Sequence, residues 1–400
     1  MILLSHPTGN ANVRAVVEAL LRHGMLFRFA TCIGLTQQSG APAMLARRRF
    51  DIPREKLWVR PFREMVRHVA PRLGFRSLVE HERGWASMDG VGRDLDRFVA
   101  RELSELATND VSTVYCYEDF AQSTFTAAKQ RGMRCVYDLP IAAWETVQRF
   151  LADQARRWPA WEPTLLATRD SPEKISRKQT ELELSDIVVT PSRFVLESLP
   201  HEVRANKRCV VVEFGSPAIS GAKPRQNIGN EKLRLLFVGA MTQRKGLADL
   251  FAAMKLVDTK EVELIVLGSP LMPMAFYESE FSGFTYEEPR EHGAVLELMH
   301  SCDVLVLPSI VEGRALVQQE AMACGLPLIV TRNAGGEDLI EEGMTGFLVP
   351  PNAPEAIAEK ISWFLAHRRD LGTMSAAARA KAAELTWRSY GDKIVDAIAA

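Results

Sequence analysis

Two carboxylates in the C-terminal half of this chain stand where they could bracket an extended polar ligand. Glu312 falls on a loop before a helical segment and Glu320 inside that segment, with seven residues between them. Each carboxylate accepts two hydroxyl hydrogen bonds, which fits the vicinal diols of a sugar and of a ribose. A helix starting near Gly313 to Leu316 aims unpaired N–H groups and the positive end of its dipole at the same space, which suits a diphosphate. Gly325 then ends that helix as a cap. Spacing alone carries little weight, because a glutamate on a helix is usually solvated surface.

The elements that must hold these groups are strands and helices in alternation. Apolar runs of strand length alternate with segments of helical period, the pattern of β-α units and a mainly parallel sheet. Strands are expected at 1–4, 111–115, 135–137, 187–190 and 209–213, then at 234–238, 263–267, 304–307, 328–330 and 347–349. Between these sets lies Gly215 to Lys232, dense in Gly, Pro, Ser and Asn and without apolar period, the best candidate for a linker. A chain of 400 residues suits two domains. The expected architecture is therefore α/β, two doubly wound domains facing a central cleft, with ligands at the C-terminal ends of both sheets.

Composition narrows the function classes. A content of 47% hydrophobic and 25% charged residues is that of a folded globular protein, and a net charge of -1 gives no reason to expect nucleic acid as a partner. The six cysteines are scattered, with no CxxC pair and no histidines at metal-ligand spacing, so they read as buried thiols in a reducing compartment. No basic leader or long apolar stretch follows Met1, and a cytoplasmic location is expected.

The segment from Val304 through Glu312-Gly-Arg-Ala-Leu to Glu320-Ala-Met-Ala-Cys-Gly-Leu-Pro resembles, residue by residue, the signature of glycosyltransferase family 4. These are the bacterial-type group 1 glycosyl transferases of GT-B fold. The likeness continues through Asn333-Ala-Gly-Gly-Glu337, Gly343 to Pro350 and Thr386-Trp-Arg388, and reaches back to Phe237 to Gly246 and to Ser185 to Phe194. It implies an N-terminal acceptor-binding domain over 1–215, a nucleotide-sugar-binding domain over 216–380, and a final helix in 381–400 that packs back on the first domain. It further implies that Glu312 contacts donor-sugar hydroxyls and Glu320 the ribose diol. Arg244, Lys245 and the main chain of Gly313, Arg314, Ala315, Leu316 and Val317 hold the diphosphate, and the Gly9-Asn10 turn faces the donor across the cleft. Physical chemistry agrees for the basic pair, since a departing phosphate gains charge that fixed cations stabilise. The sequence departs from the pattern at Ala240, where an arginine is common, and at Arg314 and Ala315, where an aromatic and a Gly or Pro are usual.

The implied reaction is glycosyl transfer with retention of anomeric configuration, without metal or other cofactor, the nucleotide sugar being a co-substrate. No enzymic nucleophile is then needed; were there a covalent route, Asp138 is the carboxylate to nominate beneath the anomeric carbon, but it stands roughly where relatives often have a histidine, and the resemblance favours a role in orienting donor or acceptor. Glu118 and Asp119 follow a strand and are expected to bind acceptor hydroxyls or shuttle a proton, with helix capping as the plainer alternative. Asp94-Leu-Asp96 has a metal-binding form but sits in a helical run, where a solvated face is expected. The acceptor is expected to be a glycan or lipid-linked molecule. Arginines from Arg47 to Arg76, interleaved with Phe50, Trp58 and Phe62, fit peripheral contact with the inner face of the plasma membrane, or an ordinary solvated helix pair. The competing readings are a nucleotide-sugar epimerase or hydrolase on the same scaffold, and a catalytically silent sugar-nucleotide-binding scaffold.

Overall fold

The computed structural model describes residues 1–36, 48–106, 111–166, 170–218, 232–257 and 260–400. Most of the linker candidate, 219–231, and Arg47 lie outside them. Two parallel sheets dominate. The first has seven strands in the spatial order Leu57–Val59, Leu26–Thr31, Ile2–Ser5, Thr113–Tyr117, Arg134–Asp138, Ile187–Thr190, Arg208–Val211. The second has six, in the order Phe284–Glu287, Val262–Leu267, Leu233–Val238, Val304–Leu307, Leu328–Thr331, Gly346–Val349. Each runs outward in both directions from its first strand, so each has a point where the order reverses. Ligands bind outside the strand ends at such points.

Side-chain alternation shows why the first sheet needs helices on both faces. Leu3, Val114, Cys116, Cys135 and Val188 enter one buried cluster, while their neighbours Ile2, Leu4, Tyr115, Val136 and Ile187 enter another. A strand buried on both faces must be apolar at nearly every position, as these are. The second sheet is enclosed in one large cluster, which also takes in Trp161 from the N-terminal half, fully buried against Phe251 and Tyr277.

That intrusion is one of several ties between the halves. Trp161 Nε1 donates to Glu280, and Gln154 bridges to Gln243 and Asn352. The last helix, Trp387–Ala399, crosses back to lie on Ala11–Arg22, where Tyr390, Ile394 and Ile398 complete a first-domain cluster. All six cysteines are free, and five of them are buried.

Candidate functional site

The strand Val304–Leu307 runs into a loop that carries Glu312 and then into the helix Leu316–Cys324, capped by Gly325 in the left-handed region. The neighbouring strand, Leu233–Val238, leads to a short turn bearing Arg244 and Lys245 and then to the helix Leu247–Met254. These two loops leave the reversal point of the second sheet side by side. Gly246, at φ 77°, makes their close approach possible, since a Cβ there would lie 2.0 Å from the Pro308 carbonyl oxygen. The Arg244 carbonyl accepts the Ile310 N–H at 2.9 Å, fixing one loop to the other.

The result is a convergence of charge. Lys245 Nζ lies 2.7 Å from Glu312 Oε1, and an Arg244 guanidinium nitrogen donates to the same oxygen. Two cations thus share one carboxylate. Burial lowers the Lys245 pKa, with Arg244 adding to the effect and Glu312 opposing it. A lysine so placed gains from a further anion. At the adjacent helix start, the N–H groups of Leu316 and Val317 have no acceptor in their own helix. Ala315 differs, since its N–H donates to the Ala334 carbonyl. Glu320 sits one turn into the helix, where it accepts from or pairs with His292 at 2.9 Å.

The Arg314 side chain has its own role beside that loop. Its side chain is fully buried, bound to both carboxylate oxygens of Asp338 at 2.7 and 2.9 Å, to the Gly335 carbonyl and to Gln319. Its guanidinium is thus committed to bracing the loop. The segment Asn333–Gly335 completes that brace: Asn333 Nδ2 donates to the Ile310 carbonyl, and the Asn333 carbonyl accepts from Glu312 N–H.

Across the cleft, Gly313 meets the first domain directly. A Cβ at this position would lie 1.6 Å from the Pro140 carbonyl oxygen, and the Gly313 carbonyl accepts from Ser192 Oγ at 2.7 Å. The loop after Arg134–Asp138 therefore meets the loop of Gly313, but the Asp138 side chain lies elsewhere. Its side chain is 1% exposed and accepts from Tyr115 Oη at 2.6 Å inside the first-domain core. Burial pushes its carboxyl up to about 7, against the Tyr115 and Tyr117 hydrogen bonds. The carboxylate nominated as a nucleophile is thus buried in the first-domain core and bound there to Tyr115.

Gly9 and Asn10 open the helix Ala11–Arg22, with the Gly9 carbonyl accepting from Arg14 Nε and the Asn10 side chain making no cap. Beside them His6 ends the first strand; Thr8 N–H donates to its Nδ1 at 2.9 Å, and burial lowers its pKa to about 4, so it is neutral at pH 7. A histidine at the end of the first strand of a doubly wound sheet was the signal that could have singled it out.

Glu118 and Asp119 lie in a charged cluster at the other reversal point. Lys178 Nζ is 3.3 Å from Glu118, and Arg177 is 3.4 Å from Asp119 and 3.3 Å from Asp89. Burial pushes Glu118 up to about 7. Neither acid caps the following helix, Gln122–Gln130. That is done by Glu181, which accepts the N–H groups of Asp119, Ala121 and Gln122, and by Asp96, which accepts those of Ser123 and Thr124. Asp96 is therefore a buried capping group, not the solvated one expected. Beside the cluster is a cleft of about 530 Å3 lined by Glu80 to Arg83, Asp89, Arg93 and Arg177. Among the described residues, His81, Glu82 and Asp170 bring ligand atoms within 4.8 Å of one another, but Lys174 already pairs with Asp170 at 3.1 Å.

The fold is GT-B, two doubly wound parallel sheets, with Arg244 and Lys245 gathered on Glu312 at the second reversal point. Residues 232–367 match the family model described as Glycosyl transferases group 1. An uncharacterized glycosyltransferase of Methanocaldococcus jannaschii is 31% identical over 147 residues, covering 34% of this chain and 36% of its own length. D-inositol 3-phosphate glycosyltransferase of Stackebrandtia nassauensis is 25% identical over 259 residues, or 58% of each chain. These alignments thus span from about a third to somewhat over half of the relatives' lengths. The fold matches sucrose-phosphate synthase from Thermosynechococcus elongatus at a TM-score of 0.66, with 17% identity over 100% of this chain and 98% of that one. An Anabaena protein solved in complex with UDP matches at 0.62, with 16% identity over 100% and 99% of the chains.

Proposed function

We propose that this chain is a glycosyltransferase that moves a sugar from a nucleotide-sugar donor to a hydroxyl of a glycan, lipid or small-molecule acceptor, with retention and without a bound metal. The observation that carries the reading is the meeting of Arg244 and Lys245 on one oxygen of Glu312 beside an open helix start. The donor diphosphate takes up the cations and the N–H groups of Leu316 and Val317. Glu312, released in part from its pairing, is then free to accept donor-sugar hydroxyls, while Glu320 exchanges His292 for the ribose diol. The Anabaena neighbour solved with UDP lends support to such a donor.

In the transfer, the bond from the anomeric carbon to the phosphate oxygen breaks and a bond to the acceptor oxygen forms on the same face. The acceptor proton passes to the departing phosphate. Arg244 and Lys245 stabilise the charge that grows there, the role a metal fills elsewhere. Gly9, Asn10 and His6 close the donor from the first domain, and Glu118 and Asp119 hold acceptor hydroxyls. A lipid-borne acceptor would bring the chain to the inner face of a plasma membrane.

Calorimetry with UDP-, GDP- and ADP-sugars, with and without magnesium, tests the reading on wild type and Glu320→Ala. Selective binding that ignores magnesium and weakens in the variant is expected. Failure of all three to bind would favour a silent scaffold, and donor consumption without acceptor would favour an epimerase or hydrolase.

A further inference from the structure

The helix Phe62–Val69 in the first domain is turned inside out. Its acid, Glu64, is 1% exposed and held by Arg48, Arg67 and His68, whereas Phe62, Met65 and Val69 are 63, 51 and 48% exposed. In the turns that follow, Leu73 is 65% and Phe75 59% exposed. Trp85 and Met88 extend it, Trp85 packing edge-on against Phe62 at 5.8 Å. Of the twelve large apolar side chains exposed among the described residues, these seven gather in one short stretch. Scattered apolar residues need no partner, but a contiguous group of this kind marks an interaction surface.

The charges around it identify the partner. Arg60 and Arg63 are paired with Asp94, and Arg67 with Glu64, so half of the basic segment is internal structure. Arg72 and Arg76 are exposed and have no acidic partner among the described residues. They sit one residue to either side of the exposed Leu73 and Phe75. Aromatic and aliphatic groups that can enter an interface, flanked by free guanidinium groups, match an anionic bilayer better than a protein surface, where charge-free cores are favoured. No helix among the described residues is long and apolar enough to cross a membrane, so contact would be superficial.

We propose that the Phe62–Phe75 face docks on an anionic lipid surface, with Phe62, Met65, Val69, Leu73 and Phe75 inserted and Arg72 and Arg76 on phosphate head groups. The cleft lined by Glu80 to Arg83 directly follows this face in the chain, and docking holds that cleft beside the lipid. The inference stands without the glycosyl-transfer reading.

Flotation of the full chain with vesicles of phosphatidylcholine alone, or with about a third phosphatidylglycerol, at low and high salt, tests it. Wild type should float with the anionic vesicles only and be released by salt. Phe62→Ser/Phe75→Ser and Arg72→Glu/Arg76→Glu, both at exposed positions, should each weaken partition by roughly tenfold or more. No flotation at low salt, equal binding to neutral vesicles, or wild-type binding by both variants would overturn the proposal. So would a concentration-dependent dimer abolished by Phe62→Ser/Phe75→Ser in a chain that ignores vesicles, since the face would then cover a second copy.

Discussion

The two strand-end surfaces that face one another in this chain handle charge in opposite ways. At the second sheet, Arg244 and Lys245 meet a single carboxylate oxygen, with free helix N–H groups beside them, so positive charge is held in reserve. At the first sheet, Lys174, Arg177 and Lys178 are matched by Asp89, Glu118, Asp119 and Asp170. One surface carries more cations than carboxylates, and at the other the cations are matched by acids. That asymmetry suits a charged donor and a neutral, hydroxyl-bearing acceptor, because complementary charge sets which ligand enters which half.

The asymmetry is broken most directly at Lys245. Lys245→Met should lower kcat by about 10²–10³-fold, as loss of one stabilising donor does elsewhere, with little change in thermal midpoint because burial opposes the charge that is removed. Lys178→Met, at the charge-matched surface, should instead act on stability, by leaving Glu118 and its neighbours underpaired. Steady-state kinetics and denaturant melts of the pair decide it; the same phenotype in both would mean that the two surfaces do not differ in function.

Arg314 tests where the donor site stops. Arg314→Met should cost about 2 kcal/mol of stability, a buried-pair effect reduced because Asp338 is 42% exposed, while the folded fraction keeps its donor affinity. A stable variant that has lost donor binding would return Arg314 to the ligand. Gly313→Ala probes the contact between the surfaces. Its Cβ would strike the Pro140 carbonyl, and about 1–3 kcal/mol of strain should push the halves apart. Small-angle scattering should then give a larger radius; an unchanged radius would show that the contact yields locally.

The second half of the chain was far more legible than the first. Its loops follow apolar strands in a residue pattern that carries chemistry, so Glu312, Lys245 and Glu320 fall at strand ends and helix starts as read. What could not be read was which groups are already taken, because the Ala315 N–H and the Arg314 side chain are committed by Asn333–Asp338, a loop that only tertiary folding brings near. In the first half, the strands Leu26–Thr31 and Leu57–Val59 escaped notice, one interrupted by Arg28 and the other three residues long amid basic neighbours. Phe284–Glu287 was missed likewise, as a partly exposed edge strand without an aliphatic run. The capping role of Glu181 has no local signal, since its partners are some 60 residues earlier in the chain. The burial of the Asp138 side chain could not be read either, because period 2 settles which face a strand residue takes only once the strand end is known.

Asp138 also supplies the smallest and most specific test of the comparison, since its carboxyl is buried in the first-domain core. Its folded pKa, about 7, lies above its ordinary value of 3.8. The folded chain therefore binds more protons than the unfolded one between those values, and stability falls as pH rises through that window, levelling off above it. Asp138→Asn keeps an oxygen to accept from Tyr115 and cannot ionise. From pH 6 to 7.5 wild type should lose about 1 kcal/mol relative to this variant, read as a difference of urea midpoints in which the contributions of Glu118 and Glu181 cancel. Turnover at pH 7 should stay close to that of wild type. Parallel stability profiles would show the carboxyl to be ionised in the core, and a collapse of turnover with the fold intact would put Asp138 back into the chemistry of the cleft.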